Sequence, residues 1–296
     1  MDKEKIIKAG QIAKELKEYA KSFIKSGVPL LEIAEKIENK MYELGGKPAF
    51  PTNLSINEIA AHYTPSYDDE NLAHGLLKID LGVQIDGWIS DTAFSLDLDD
   101  SKENKELIET AESALKVAQE KISTNVSTNE IGQEIQDTIE KKGFTPVINL
   151  SGHQIEQYDL HAGLSIPNIN DKKNYLLEPG LYAIEPFVTL SSGSGKVYDA
   201  RPSGIYILQD EKNIRNPIAR QILNHIIEEY KTLPFCSRWI IKKFGKKALF
   251  SLKQLENNGN IHHFDQLIES SGSKVAQAEN TILLISEKEK IITTQE

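Results

Sequence analysis

Five side chains able to bind a divalent cation stand in this chain beside apolar strand residues: Asp80, Asp91, His153, Glu185 and Glu279. The first two lie in KIDLGVQIDGWISDTAFSL, where Asp86-Gly87 separates two apolar runs and suits a two-residue hairpin turn. Folding at that turn sets Val83 opposite Ser90, Gly82 opposite Asp91 and Asp80 opposite Ala93, with Ile79, Leu81, Val83, Ile85, Trp88 and Phe94 on one face. Asp80 and Asp91 share the other face as diagonal neighbours, about 7–8 Å apart at the backbone. Two carboxylates meeting over the small Gly82 and Ala93 repel each other unless a cation sits between them. The plain alternative is a pair of solvent-facing aspartates on a half-exposed hairpin.

Three further residues complete a candidate ligand set. His153 follows Gly152, which allows backbone and ligand to approach closely. Glu185 in LYAIEPFV and Glu279 in VAQAENTILLI interrupt apolar strands, where an unpaired carboxylate costs several kcal/mol. Four carboxylates and one neutral imidazole carry four negative charges, which two divalent ions balance. An oxygen-rich set with one histidine and no thiolate favours Mn, Fe or Co over a structural zinc, with Zn kept as an option. A metal pair of this kind activates water against a carbonyl or phosphoryl group, so the reaction class is metal-assisted hydrolysis. His62 and His161 stand about one hundred residues apart, each before turn material, and a duplicated fold would bring them to opposite walls of one cleft. His74, His225, His262 and His263 receive no role.

The elements that must position these residues repeat. Apolar spacing predicts a long helix from Lys3 to about Ser26 and a shorter one from about Leu30 to Leu44, before PAFPTNLSINEIAAHYTP and the hairpin. After Asp100 the order recurs: a long helix capped by Ser101, a short one ending at Gly143, then strands in TPVINLSGH, YAIEPFVTL and SGIYILQD. The expected class is therefore α/β, or α+β, with a duplicated helix-helix-strand unit closing on itself. From Asn216 three helical segments follow with no strand between them, and strand character returns in VAQAENTILLISEKEKIITT. Residues 216–263 read as a mostly helical insertion, with 1–215 and 264–296 forming the main domain. The insertion carries Arg238, Lys242, Lys243, Lys246, Lys247 and Lys253, a basic group in an acidic protein.

With 296 residues the chain can bury a full core, and its net charge of −10 argues against whole-surface binding to DNA or anionic membrane. Cys236 is the single cysteine, which excludes an intrachain disulfide framework and suits a reducing cytoplasm. Charge runs through the N-terminal apolar pattern, unlike a signal peptide, and no apolar run reaches membrane-span length. The Asn-x-Ser sequons at Asn53, Asn125 and Asn149 thus carry no message about glycosylation.

NLSINEIAAHYTP, the Asp80-to-Asp91 spacing, SGHQIEQYDLHAGLSIPN, YAIEPF and VAQAENTILL together resemble the methionine aminopeptidases of type II, in an archaeal form that starts directly at the catalytic domain. The resemblance covers nearly the whole chain, and the late helical insertion is what separates type II from type I. It implies the pita-bread fold around a curved mixed or antiparallel sheet, with Asp80 and Asp91 on one ion, Asp91 bridging to the second, His153 and Glu185 completing it, and Glu279 bridging both. It also implies that His62 and His161 contact the scissile amide, that Glu185 moves a proton from the attacking water, and that Phe50 and Phe264 wall the methionine pocket. The implied reaction is removal of initiator methionine from nascent chains whose second residue is small. The lysine-bearing insertion would then hold the enzyme near the ribosome. Two departures stand beside Glu279, where Ala278 and Asn280 replace the usual phenylalanine and histidine. Competing readings are a prolidase or aminopeptidase P-like Xaa-Pro hydrolase, and a pita-bread binding module without catalysis.

Overall fold

A computed structural model describes residues 1–295. Helix α1, Lys3–Phe23, begins where the Asp2 carboxylate accepts from the Lys5 amide, and α2 covers Leu30–Glu43. Their apolar faces, including Ile12, Leu16, Ile33 and Ile37, pack on Leu54, Ile79, Leu81 and Val83 of an antiparallel sheet. That sheet is built on the hairpin Leu76–Ile85 and Trp88–Asp97, whose turn residues Asp86 and Gly87 both adopt positive φ, 49° and 84°. The register pairs Gly82 with Asp91 and Asp80 with Ala93, and Trp88 joins a separate cluster with Ile89 and Tyr158.

The second half repeats the layers. Helix α3, Lys102–Lys121, starts at the Ser101 cap, and α4, Thr128–Lys141, starts at a capping box between Ser127 and Glu130. Leu107, Leu115, Ile131 and Ile135 from these helices pack on Tyr182, Ile184, Ile282 and Leu284. The sheet beneath runs Glu289–Ile292, Asn280–Ser286, Gly180–Ile184, Ser151–Ile155, Ser165–Pro167, with antiparallel pairing throughout. The two sheets meet where Ala93 bridges Glu279; the Glu279 amide donates to the Ala93 carbonyl at 2.9 Å. The Thr281 hydroxyl donates to the Asp91 carbonyl at 2.7 Å across the same joint.

Between the strands Val197–Leu208 and Ile261–Glu269, which pair antiparallel, stand α5 (Pro217–Glu229), α6 (Ser237–Phe244) and α7 (Ala248–Asn257). They share a core of Ile222, Leu223, Ile226, Ile240, Leu252 and Leu255. The expectation of no strand among these helices is corrected: Phe235–Cys236 forms a two-residue strand against Ile205 and Tyr206. Residue 263 also lies within a strand and not at an element boundary. Arg238 leaves the basic surface group, since it is 4 % exposed and paired with Glu38. Its charge is read correctly from sequence only when the partner, in α2, is known.

Gly10 sits inside α1, where alanine would favour the helix by about 1 kcal/mol. An added Cβ, however, would lie 2.4 Å from the Thr293 carbonyl oxygen, and backbone cannot swing aside as a side-chain tip can. The packing cost of about 1–3 kcal/mol wins. Gly10→Ala is therefore expected to lower the thermal midpoint by several degrees in calorimetry; an unchanged or raised midpoint would show that the C-terminal segment yields freely.

Candidate metal centre

The joint between the sheets is also where the acidic residues meet. The hairpin supplies Asp80 and Asp91 from one half. His153 comes from the strand Ser151–Ile155 and Glu185 from the end of Gly180–Ile184, neighbouring strands of the other half. Glu279 enters at the bridge to Ala93. His153 Nε2 lies 3.6 Å from Asp91 Oδ2 and 3.7 Å from Glu185 Oε1. Donor atoms of Asp91, His153 and Glu279 all lie within 4.8 Å of one another, and all three residues are buried.

Burial first, and repulsion from neighbouring carboxylates second, push Asp91, Glu185 and Glu279 well above the usual carboxylate range. Burial raises Asp80 to about 7. Burial also lowers His153 to about 3, so its imidazole is neutral and free to act as a donor of lone-pair electrons. The side chains that reach these oxygens, a neutral His153 and the Gln277 amide, supply no fixed positive charge. Asp80 Oδ1, Asp91 Oδ1 and both Glu279 carboxylate oxygens are buried without hydrogen-bond partners. Orphaned acceptors in such number are rare in native interiors, and this donor set fits divalent cations.

Gln277 was not among the residues singled out from sequence. Its Nε2 reaches Asp80 Oδ2 at 3.4 Å and Glu185 Oε2 at 3.3 Å, one carboxylate from each half, so a neutral amide steadies both. Ser95 fixes its backbone, donating to the Gln277 carbonyl and accepting from its amide. Period-two alternation back from Glu279 was the available signal. The departures flanking Glu279 point elsewhere: Ala278 packs in the core of the second half, and Asn280 is buried among Lys17, Thr92 and Thr294.

Beside the acidic cluster opens a cavity of about 340 Å³ whose lining includes Phe50, His62, His161 and Phe264. Phe50 lies across the hairpin because Gly82 has no side chain; a Cβ there would sit 2.2 Å from Phe50 Cε1. The Asp265 carbonyl, which only accepts, lies 3.2 Å from His62 Nδ1 and so selects the tautomer with the proton on Nδ1. Nε2 of His62 is left as the acceptor, and burial lowers this imidazole to about 4. The His161 ring lies edge-on to His153 with centroids 4.5 Å apart, and burial lowers its pKa also. The structure thus brings Asp80, Asp91, His153, Glu185 and Glu279 to one end of a cavity that His62, His161, Phe50 and Phe264 also line.

Residues 4–228 match the model of metallopeptidase family M24. A methionine aminopeptidase from Pyrococcus horikoshii is 46% identical over 301 residues, covering 100% of both chains. Among solved structures, that of a thermophilic Arx1 matches with a TM-score of 0.82 at 16% identity, over 98% of this chain and 89% of that one. A methionine aminopeptidase from Thermotoga maritima matches with a TM-score of 0.71 at 22% identity, over 99% and 96%. These two likenesses concern the fold alone, which is the expected pita-bread fold. The chain belongs to metallopeptidase family M24. Within that family it stands with the archaeal methionine aminopeptidases, and it is a metalloaminopeptidase that uses divalent metal.

The raised carboxylates set a pH dependence. In the metal-free protein a group whose folded pKa is raised is stabilising below its unfolded value near 4, and that contribution is lost as pH rises through the folded value, about 7 for Asp80. Buried Lys78, lowered to about 7, contributes with the opposite sign above neutrality, as do His62 and His153 below about 6.5. Comparing protein with and without Mn at each pH cancels these background groups where they titrate alike in both forms. The gain in thermal midpoint from Mn is expected to grow between pH 5 and pH 8, because protons compete for the same oxygens. A gain independent of pH would contradict this account of the cluster.

Proposed function

We propose that the protein is a type II methionine aminopeptidase that removes the initiator methionine from nascent chains whose second residue is small. The observation that carries this reading is the set of unpartnered carboxylate oxygens at one end of a cavity with aromatic walls and two neutral histidines. Asp80, Asp91, His153, Glu185 and Glu279 would hold two divalent ions, Mn, Fe or Co by the oxygen-rich donor set, with Zn as an option. Bound there, such ions supply Lewis acidity toward the scissile carbonyl and lower the pKa of a nearby water.

The remaining work falls to the chain's own groups. Phe50 and Phe264 take the methionine side chain, an unbranched apolar group suited to a gap between rings. His62, holding its proton on Nδ1, offers Nε2 as an acceptor to the N–H of the scissile amide. His161, on the opposite wall, steadies the oxygen that gains charge as water attacks. Glu185 takes the proton of the attacking water and returns it to the leaving amine. A bulky second residue would crowd the amide between the two histidines.

Residues 216–263 form, on this reading, a helical subdomain of the pita-bread domain made by 1–215 and 264–296. Lys242, Lys243, Lys246 and Lys247 are exposed on it, beside Leu249 and Phe250 at 41% and 67% exposure. They give the enzyme a contact to ribosomal RNA, and a cytoplasmic site of action follows. A prolidase-like activity is the weaker reading, because the full-length relatives at 46% identity are methionine aminopeptidases.

Chelated protein given Mn or Co should release methionine from Met-Ala-Ser, release little from Met-Leu-Ser, and release nothing from Ala-Pro. His62→Ala and His161→Ala should each lower kcat by about 10²-fold, in the range for losing one transition-state contact. Release from Ala-Pro alone would move the protein to the prolidase reading, and no release with any metal would favour a binding module. Charge reversal at the four lysines should abolish co-sedimentation with ribosomes; sedimentation that persists would remove the ribosome from this proposal.

A further inference from the structure

Residues 231–239, the linker after α5 together with the first turn of α6, touch both segments that carry the cleft histidines. At one end the Thr232 hydroxyl donates to the Tyr158 carbonyl, three residues before His161. Lys231 Nζ lies 3.7 Å above the Tyr158 ring. At the other end Arg238 Nε donates to the Pro65 carbonyl at 3.1 Å, three residues after His62. Between these anchors Pro234 lines the cavity, and Phe235 and Cys236 pair with Tyr206 and Ile205.

The Arg238 anchor is rigid. Its guanidinium meets the Glu38 carboxylate with two parallel bonds, 2.7 and 2.8 Å, and both residues are buried. Trp239 Nε1 donates to the same carboxylate at 2.8 Å, and the Thr52 amide donates to it at 3.3 Å. The Thr64 hydroxyl donates to the Thr52 carbonyl at 2.9 Å, which ties the strand carrying Asn53 to the segment that follows His62.

Backbone strain lies at the points being held. His62 and Tyr158 both adopt positive φ, 62° and 60°, and neither is glycine. Such conformations persist only where surrounding contacts over-determine them. The Tyr158 amide donates to the Gly87 carbonyl at 2.8 Å, so this turn is pinned between the hairpin tip and the linker.

We infer that the linker 231–239 sets the separation and tilt of His62 and His161, with Thr232 and Arg238 as positioning residues for the scissile amide. The inference rests on the reading that these histidines contact that amide. It gives the helical insertion a part in catalysis that is separate from any partner it binds. The hydrogen bonds at the linker's two anchors go to Tyr158, Pro65 and Glu38 and not to the acidic cluster, so its effect should appear in turnover and not in metal binding.

The test uses the Mn-loaded full chain. Glu38→Leu with Arg238→Met removes both buried charges together, so neither is left alone in the interior. Thr232→Val removes the other anchor on the surface, and Thr232→Ser restores its hydroxyl. With Met-Ala-Ser, kcat should fall about 10-fold or more in the double variant and about threefold in Thr232→Val, because small displacements of positioning groups are costly. KM should change little, and Thr232→Ser should recover wild-type turnover. Calorimetric titration with Mn should give wild-type affinity in all three.

Wild-type kcat in the double variant and in Thr232→Val, with kcat of His62→Ala and His161→Ala lowered as expected, would overturn the inference alone. Wild-type kcat in the two histidine variants would overturn the reading beneath it as well. Loss of Mn affinity in parallel with turnover would also overturn it, since the linker would then act through the metal centre.

Discussion

Four carboxylates crowded around one buried point are the constraint on which the rest of this structure depends. Like charges about 4 Å apart repel by about 4 kcal/mol at an effective dielectric of about 20. A fold can keep such a cluster only by protonating it, by adding cations from its own side chains, or by binding metal. The first course is written in the raised pKa values, and the second is not taken by the groups that reach these oxygens. Metal is the course that leaves the carboxylates charged at neutral pH.

Duplication solves the geometric side of that problem. Each half presents a sheet backed by a long and a short helix, and the two sheets join at the Ala93 to Glu279 bridge. Ligands from both halves therefore approach one point from rigid strands, where position is held more closely than on loops. The polar joint of Thr281, Ser95 and Gln277 hydrogen-bonds across that seam and leaves the outward carboxylate oxygens without partners. The cleft histidines differ in kind. They sit on segments with positive φ, and contacts from outside their own strands hold them in place.

Local chemistry made much of this legible beforehand. Asp86-Gly87 specified the hairpin, and from that register alone Asp80 and Asp91 fall on one face. Glu185 and Glu279 stood out because a carboxylate inside an apolar strand requires an explanation. Gln277 did not stand out, since a glutamine in a short strand is unremarkable until its two carboxylate partners are known. Arg238 reads as one of the insertion's basic residues, and only its pairing with Glu38, two hundred residues away in sequence, shows that it is buried. The strand at Phe235–Cys236 is two residues long and exists only through its pairing, which no local propensity announces. Phe50 and Phe264 were named through family resemblance; nothing in their own spacing marks a pocket wall.

The central proposal is that the acidic cluster holds two metal ions that share ligands. The most direct measurement is titration of metal-free protein with Mn, read by electron paramagnetic resonance. The account predicts saturation at two ions per chain, with the spectrum of the second showing magnetic coupling to the first, since Asp91 and Glu279 would bridge them. Two uncoupled ions, or no saturable binding near neutral pH, would contradict it.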